Sequence, residues 1–298
     1  MNPDQETAHK AEYHERRRAA FGTPFGIAGY PPPQKSALEA SEEERLRAYE
    51  AKWMEGGSIS FLYSFNDLLL SKEANETASE FVRRKIRATV RDPRTAELLC
   101  PNDHPIGTKR LILDTDYYET YNRDNVTLVD IRNKPIREIT PTGLSTADAE
   151  YQLDAIVFAT GFDAMTGAMK EIDIHTDAGM SIQQKWEHGP RTYLGIMIAG
   201  FPNLFMITGP QSPGVKSQMI LSCEQHVDWI ADCLEYLRAR GISGIEAEQD
   251  AEDAWVRHNN EVANRTLYPQ ANSWYVGANI PGKPRIFMPY VGGVTAYK

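Results

Sequence analysis

Residues 217 to 240 read as one amphipathic helix that carries Cys223, His226 and Cys233. A thiol and an imidazole one turn apart are donors that a soft metal accepts. On an apolar helix face the same residues more often pack, and packing is the reading preferred, with no metal site. Arg83, Arg84, Lys85 and Arg87 form a second concentration of chemistry-bearing groups. Such a run can hold an anion, or it can be the solvated face of a helix, and the spacing favours the face. A third candidate has little charge. Leu153 to Phe158 is a near-continuous apolar run, which suits a strand buried on both faces of a parallel sheet. Ala159-Thr160-Gly161 then ends it with small residues, so that a ligand or another backbone can come close. Leu204 to Thr208 repeats the buried-strand pattern, ends at Gly209-Pro210 and leads into the helix at Ser217. Strand, glycine turn and helix is the geometry in which a helix N-terminus meets an electron-rich ligand.

Some chemistry is absent from these 298 residues. They hold no Gly-x-Gly-x-x-Gly, so no complete Rossmann phosphate loop is expected. They also lack a Walker loop, a Cys-x-x-Cys pair, a His-Glu-x-x-His helix and a Gly-x-Ser-x-Gly elbow. The formal net charge of −9 argues against a nucleic-acid binder, and any anionic cofactor would need a local basic site. Three scattered cysteines make no disulfide framework, so a reducing cytoplasm is expected. No apolar stretch approaches the ~18 residues that span a bilayer, and the polar opening Met-Asn-Pro-Asp-Gln-Glu is not that of a secretory leader.

The elements that must position these groups fall into three stretches. Residues 1–100 are expected to be helical. Ser41-Glu42-Glu43-Glu44 is a capping box that opens a helix to about Trp53, which Gly56-Gly57 stops. Phe61 to Leu70 suggests a buried helix, Glu76 to Val90 another, and Asp92-Pro93 starts a short one to about Cys100. From residue 101 to 155 the texture is that of strands, at Leu111–Leu113 and Val126–Ile131, with Pro135–Ile139 and Tyr151–Phe158 flanking a turn at Thr142-Gly143. Residues 156–298 return to an α/β pattern, with helices expected at about Ser217 to Arg240 and Asp250 to Thr266.

Taken together, several segments resemble the Baeyer–Villiger monooxygenases. They are Thr108-Lys109-Arg110-Leu111-Ile112-Leu113-Asp114 with Asp116-Tyr117-Tyr118-Glu119, Ala159-Thr160-Gly161-Phe162-Asp163, and Gly200-Phe201-Pro202-Asn203-Leu204-Phe205. Ser273-Trp274-Tyr275 followed by Gly277-Ala278-Asn279-Ile280-Pro281-Gly282-Lys283 is a further one. Ser36-Ala37-Leu38-Glu39 and Gly189-Pro190-Arg191-Thr192-Tyr193-Leu194-Gly195 agree as well, so the resemblance covers nearly the whole chain in order.

The resemblance implies an α/β flavoprotein of two dinucleotide-binding domains, here partial. A helical subdomain would fill 1–100, part of an NADP domain 101–155 and part of an FAD domain 156–298. It implies that NADPH reduces FAD, that the reduced flavin captures O₂ as a C4a-peroxide, and that a ketone becomes an ester or lactone. Arg110 matches the family's active-site arginine. A guanidinium is always charged and its donors are fixed in direction, so it suits negative charge developing on oxygen. Without the resemblance, a lone Arg before a strand reads as a surface ion pair. Lys109 matches a residue that contacts NADP, and a lysine there acts as a point charge for phosphate. Trp274 matches a tryptophan that contacts the nicotinamide cofactor, where core packing is the plain alternative. Met219 matches a position at which backbone meets the flavin, at the start of a helix whose N-terminus favours negative charge. The loop from Gln211 to Gln218 would line the substrate side, and Lys216 departs from the family there.

The larger departure is that the family's Gly-rich FAD and NADP loops and its fingerprint motif are not among these residues. The chain reads as a C-terminal portion that is inactive and cannot hold FAD tightly by itself. The competing reading is a non-catalytic remnant, or a split half that needs an N-terminal partner. Oxidation of nitrogen or sulfur is a third option, against which Arg110 and the Trp274 segment argue.

Overall fold

The computed structural model describes residues 2–298. Asn2 and Gln5 cap one another at the start of α1 (Pro3–Ala11), and α2 (Tyr13–Phe21) follows directly. Ser41 and Glu44 make the expected capping box on α3 (Glu42–Glu55), and Gly56 stops that helix with φ at 76°. The helix expected over 61–70 is shorter and earlier. It is α4 (Ser58–Leu62), after which the chain turns while still burying Phe61, Phe65 and Leu68. Apolar spacing there served burial rather than one continuous helix. α5 (Lys72–Thr89) and α6 (Pro93–Leu99) come next, and the Asp92 carboxylate accepts the Thr95 N–H at 2.8 Å as the N-cap. Tyr49 is the hub of this region. Its ring centroid lies 5.7 Å from that of Phe61 and 5.5 Å from those of Phe65 and Phe81, which ties α3, α4 and α5 into one aromatic core.

The basic run on α5 is a face of ion pairs. Arg83 meets Glu76 at 2.8 Å and Glu80 at 2.9 Å, Lys85 meets Glu50 at 2.7 Å, and Arg87 meets Glu97 at 2.6 Å. Three of its four charges, those of Arg83, Lys85 and Arg87, are matched by neighbouring carboxylates, which favours the solvated-face reading.

From residue 101 onward the structure bears out the α/β expectation in part, as helices with a small sheet. After the single turn of α7 (Tyr117–Thr120), the one sheet among the described residues is antiparallel and small. It comprises β1 (Ile136–Thr140), β2 (Gly143–Thr146) and β3 (Glu150–Gln152) in that order. Thr140 pairs with Gly143, so the hairpin turns where Thr142-Gly143 signalled it. The parallel strands are not formed. Leu111–Leu113, Val126–Ile131, Leu153–Phe158 and Leu204–Thr208 are extended or turning chain without a ladder. Val157 is 89% exposed and Phe158 71%, in the run expected to be most buried. A parallel strand is held by hydrogen bonds from neighbours, and no described strand runs beside residues 153–158. The apolar run therefore keeps the composition of a core strand while its faces stay open. What the structure shows is helices with a small sheet.

The C-terminal part contains α8 (Gly167–Glu171), α9 (Ile182–Lys185), α10 (Met219–Ala239), α11 (Gln249–Asn264) and α12 (Val294–Tyr297). The two long helices lie where apolar spacing put them. One core gathers Ile182, Trp186, Ile198, Phe201 and Met206, and another Ala263, Tyr268, Tyr275, Val276 and Phe287. Glu252, on α11, is fully buried beside the first. Its Oε2 accepts the Ala199 N–H at 2.8 Å, and its Oε1 lies 2.9 Å from Lys185 Nζ and 3.5 Å from Arg191 Nε. No described helix is long and apolar enough to cross a membrane.

His226 anchors α10 and takes no metal role. Its Nδ1 accepts the Thr208 N–H at 3.0 Å, and its Nε2 faces the Tyr297 hydroxyl at 2.9 Å. Tyr297 spends its own proton on the Leu194 carbonyl, so Nε2 carries the imidazole proton and the ring is neutral. Burial pushes its pKa down to about 4. An unfolded imidazole titrates near ~6.5. Below that pH the unfolded chain takes up a proton that the folded ring refuses, so stability is lost as pH falls towards 4. Urea unfolding at about pH 7 and about pH 4.5 should show a loss of about 2–3 kcal/mol from this group. His226→Gln should remove that component, and an unchanged pH dependence in the variant would assign it elsewhere.

Candidate active site

The loop from Gly209 to Gln218 delivers the start of α10, and its backbone is fixed at both ends. A Cβ at Gly195, whose φ is 69°, would lie 2.6 Å from the Ser212 Cβ and 2.9 Å from the Pro210 carbonyl oxygen. Only glycine lets the two segments approach so closely. Gln211 is buried with a positive φ of 69°. Its side-chain oxygen accepts the Thr192 N–H at 3.0 Å and the Thr192 hydroxyl at 2.9 Å, and its backbone N–H donates to the Met288 carbonyl at 2.5 Å. These bonds hold a conformation that costs energy by itself. At the other end the Ser217 hydroxyl donates to the Pro213 carbonyl at 2.8 Å, and the Gln218 N–H to the Phe25 carbonyl at 2.9 Å. The Gln218 side chain then caps α10 by accepting the Leu221 N–H at 2.6 Å.

Arg110 reaches this loop from outside the second half of the chain, donating from Nη2 to the Val215 carbonyl at 3.2 Å. Next along the loop, Lys216 places Nζ 3.9 Å from the Tyr268 ring centroid and 4.2 Å from that of Tyr275. Both are cation–π distances. Burial, and secondly the Arg110 charge, push the Lys216 amine down to about 7. Burial raises the Tyr275 hydroxyl, and Arg110 opposes it; burial raises Tyr268 too. The Trp274 ring lies 4.3 Å from Tyr275, tilted by 50°. Arg110, Tyr275, Trp274 and Lys216 thus form one chain of neighbours.

Met219 is the first residue of α10 and is partly exposed, its sulfur 3.2 Å from where a Cβ on Gly214 would sit. Lys109 turns to a different neighbour. Its Nζ lies 3.8 Å from Asp103, which also accepts from His104 at 2.6 Å and Arg132 at 2.9 Å. Asp103 is held down to about 2, first by the His104 hydrogen bond and then by the Lys109, His104 and Arg132 charges, against burial. The Ala159–Asp163 segment is tied to the Trp274 segment: Asn279 donates to the Phe162 carbonyl at 2.8 Å, and Lys283 pairs with Asp163 and donates to the Ala164 carbonyl at 3.0 Å.

Beneath Lys216 opens a cavity of about 250 Å³, walled by Phe25, Leu62, Tyr63, Leu69 and Tyr268. Sequence reading gave none of these wall residues a role. Phe25 lay in an irregular connector, and Tyr268 follows the helix expected to end near Thr266. The only signal was that both are aromatic. No described group of three His, Cys, Asp or Glu side chains could hold a metal. The donor set suits a nucleotide cofactor in kind. Arg110 and Lys109 offer positive charge for phosphate, and the start of α10 offers the positive end of a long helix to an electron-rich ring.

No family model matches the chain. A curated Baeyer–Villiger monooxygenase of Pseudooceanicola batsensis is 42% identical over 272 residues, which are 91% of this chain and 49% of that protein. A solved structure of oxidised steroid monooxygenase bound to NADP is 49% identical with a TM-score of 0.90, over 99% of this chain and 56% of that one. A crystal structure of OTEMO in complex with FAD and NADP is 38% identical with a TM-score of 0.93, over 100% of this chain and 55% of that one. The chain spans about half the length of the curated relatives it matches.

Proposed function

We propose that the chain is part of a Baeyer–Villiger monooxygenase and serves the FAD- and NADPH-dependent oxidation of a ketone by O₂ to an ester or lactone. The observation that carries this reading is the placing of Arg110. Its guanidinium is held by the Val215 carbonyl, beside the Trp274–Tyr275 pair and at the mouth of the loop that starts α10. The flavin, once reduced by NADPH, supplies activated oxygen. Arg110 stabilises the negative charge that builds on oxygen as the carbonyl is attacked. Trp274, backed by Tyr275, would hold the nicotinamide. The first turn of α10 at Met219 would offer backbone N–H groups to the electron-rich edge of the flavin. Lys109 serves an NADP phosphate, and its 3.8 Å tie to Asp103 is loose enough to release it. Residues 1–100 act as a helical subdomain, 101–155 as part of the NADP domain and 156–298 as part of the FAD domain.

A second reading has its own support. Val157, Phe158 and Phe162 are 89%, 71% and 89% exposed, and Ile112 is 89% exposed. Such a face suits cover by further polypeptide carrying the Gly-rich loops. Flavin retention separates the readings. These 298 residues alone, mixed with FAD and freed of excess ligand, are expected to be colourless. With a polypeptide supplying the Gly-rich loops they should retain FAD and oxidise NADPH in a ketone-dependent way. Retained flavin without ketone-dependent oxidation would leave the non-catalytic reading standing.

A further inference from the structure

Lys216 is a cation without an anion. It makes no ion pair and no hydrogen bond among the described residues, and its close neighbours are two tyrosine rings and the guanidinium of Arg110. Ring faces replace only part of the hydration that an ammonium gives up on burial. A second positive charge nearby adds to the imbalance rather than relieving it. The loop that carries Lys216 is held at Gln211, Ser217 and Gln218, which fixes where the side chain starts. Lys216 lines a cavity whose other walls are largely apolar, including Leu62, Phe65 and Leu69. A small site of this kind, apolar with one convergent charge, recognises a ligand with an apolar body and one group of opposite sign.

We propose that Lys216 makes this cavity selective for ketones that carry a carboxylate, its ammonium pairing with the carboxylate while the apolar walls hold the carbon skeleton. The inference rests on the ketone-oxidising reading above. The depressed basicity of Lys216 agrees with it: an incoming carboxylate restores the missing counter-charge and keeps the amine protonated. The other titratable groups facing the amine are Arg110, Tyr268 and Tyr275, with Tyr63 and Tyr290 across the cavity. Burial raises all four tyrosines, and an arginine stays charged, so Lys216 is the one that changes charge near neutrality. Recognition of a carboxylate should therefore be strong below about pH 7 and fade as pH rises through it.

The test compares 4-oxopentanoate with 5-methylhexan-2-one, in which a branched alkyl end replaces the carboxylate. Calorimetric titration of the chain is expected to favour the keto acid by about tenfold or more at about pH 6.5, with the preference shrinking at about pH 8.5. Lys216→Met should abolish the preference, and Lys216→Arg, which keeps its charge, should hold it at both pH values. Thermal melting of both variants shows whether they fold. Equal binding of the two probes to the unaltered chain, or a preference that survives in Lys216→Met, would overturn the inference. Oxidation by the chain joined by polypeptide that supplies the Gly-rich loops, and loaded with FAD, separates the two proposals. Ketones oxidised without preference for the acid sink the carboxylate subsite alone. An acid that binds preferentially and is never oxidised sinks the oxidation reading and leaves the anion subsite standing.

Discussion

Replacing Arg110 with methionine is expected to lower ketone-dependent NADPH oxidation by about 10²–10³-fold, the loss seen when a preorganised donor to a developing oxyanion is removed. The argument rests on what Arg110 touches. Its guanidinium donates to the Val215 carbonyl at 3.2 Å and sits beside Tyr275, and the residue is exposed, so little of the fold depends on it. The variant should melt close to the unaltered protein while losing turnover. Arg110→Lys should recover only part of the rate, because an ammonium keeps the charge but not the planar fork. Steady-state kinetics on the chain joined by polypeptide that supplies the Gly-rich loops, and loaded with FAD, would decide it. Equal activity in Arg110→Met would remove Arg110 from the chemistry, and equal losses of melting temperature and activity would make it a structural residue.

The largest effect on stability is expected at Glu252. Its carboxylate is fully buried, satisfies the Ala199 N–H at 2.8 Å and faces Lys185 Nζ at 2.9 Å. Glu252→Ala leaves a nearly buried ammonium with no counter-charge, held only by the Gln249 side-chain oxygen at 3.0 Å, and the buried Ala199 amide without a partner. Removing one member of a buried pair costs about 3–5 kcal/mol, a large share of the 5–15 kcal/mol that holds a typical domain together. Urea unfolding should show it directly. Glu252→Ala combined with Lys185→Met should recover part of the loss, since the stranded charge is gone, and the excess measures the coupling. A loss below about 1 kcal/mol in Glu252→Ala would mean that water reaches the site and screens the pair.

Local signals were legible in the sequence and long-range ones were not. Ser41 to Glu44, Asp92-Pro93 and Thr142-Gly143 act within a few residues, and the structure has a helix start or hairpin turn at each. Leu153 to Phe158 and Leu204 to Thr208 needed strands from elsewhere, and composition cannot show whether those strands are present. Arg110 and Trp274 entered through resemblance, and the structure adds that they meet through Tyr275. The cavity under Lys216 was not legible, because Phe25, Tyr63 and Tyr268 come from three distant stretches and share only aromatic character. Glu252 gave no signal at all. A lone carboxylate on an amphipathic helix reads as solvated, and only packing shows that Ala199 and Lys185 converge on it.

The loop before α10 separates two duties between its residues. Gln211, Ser217 and Gln218 do the holding, through bonds that mostly run to backbone. Val215 and Lys216 contribute no side-chain bond to that scaffold. A mutation at 216 therefore changes what the cavity meets without changing where the loop sits. Variation can sample charge, size and polarity at that one point while the fold stays out of the trade. Descendants of this sequence could change what this cavity accepts in a single substitution, and a library confined to position 216 would retrace that path.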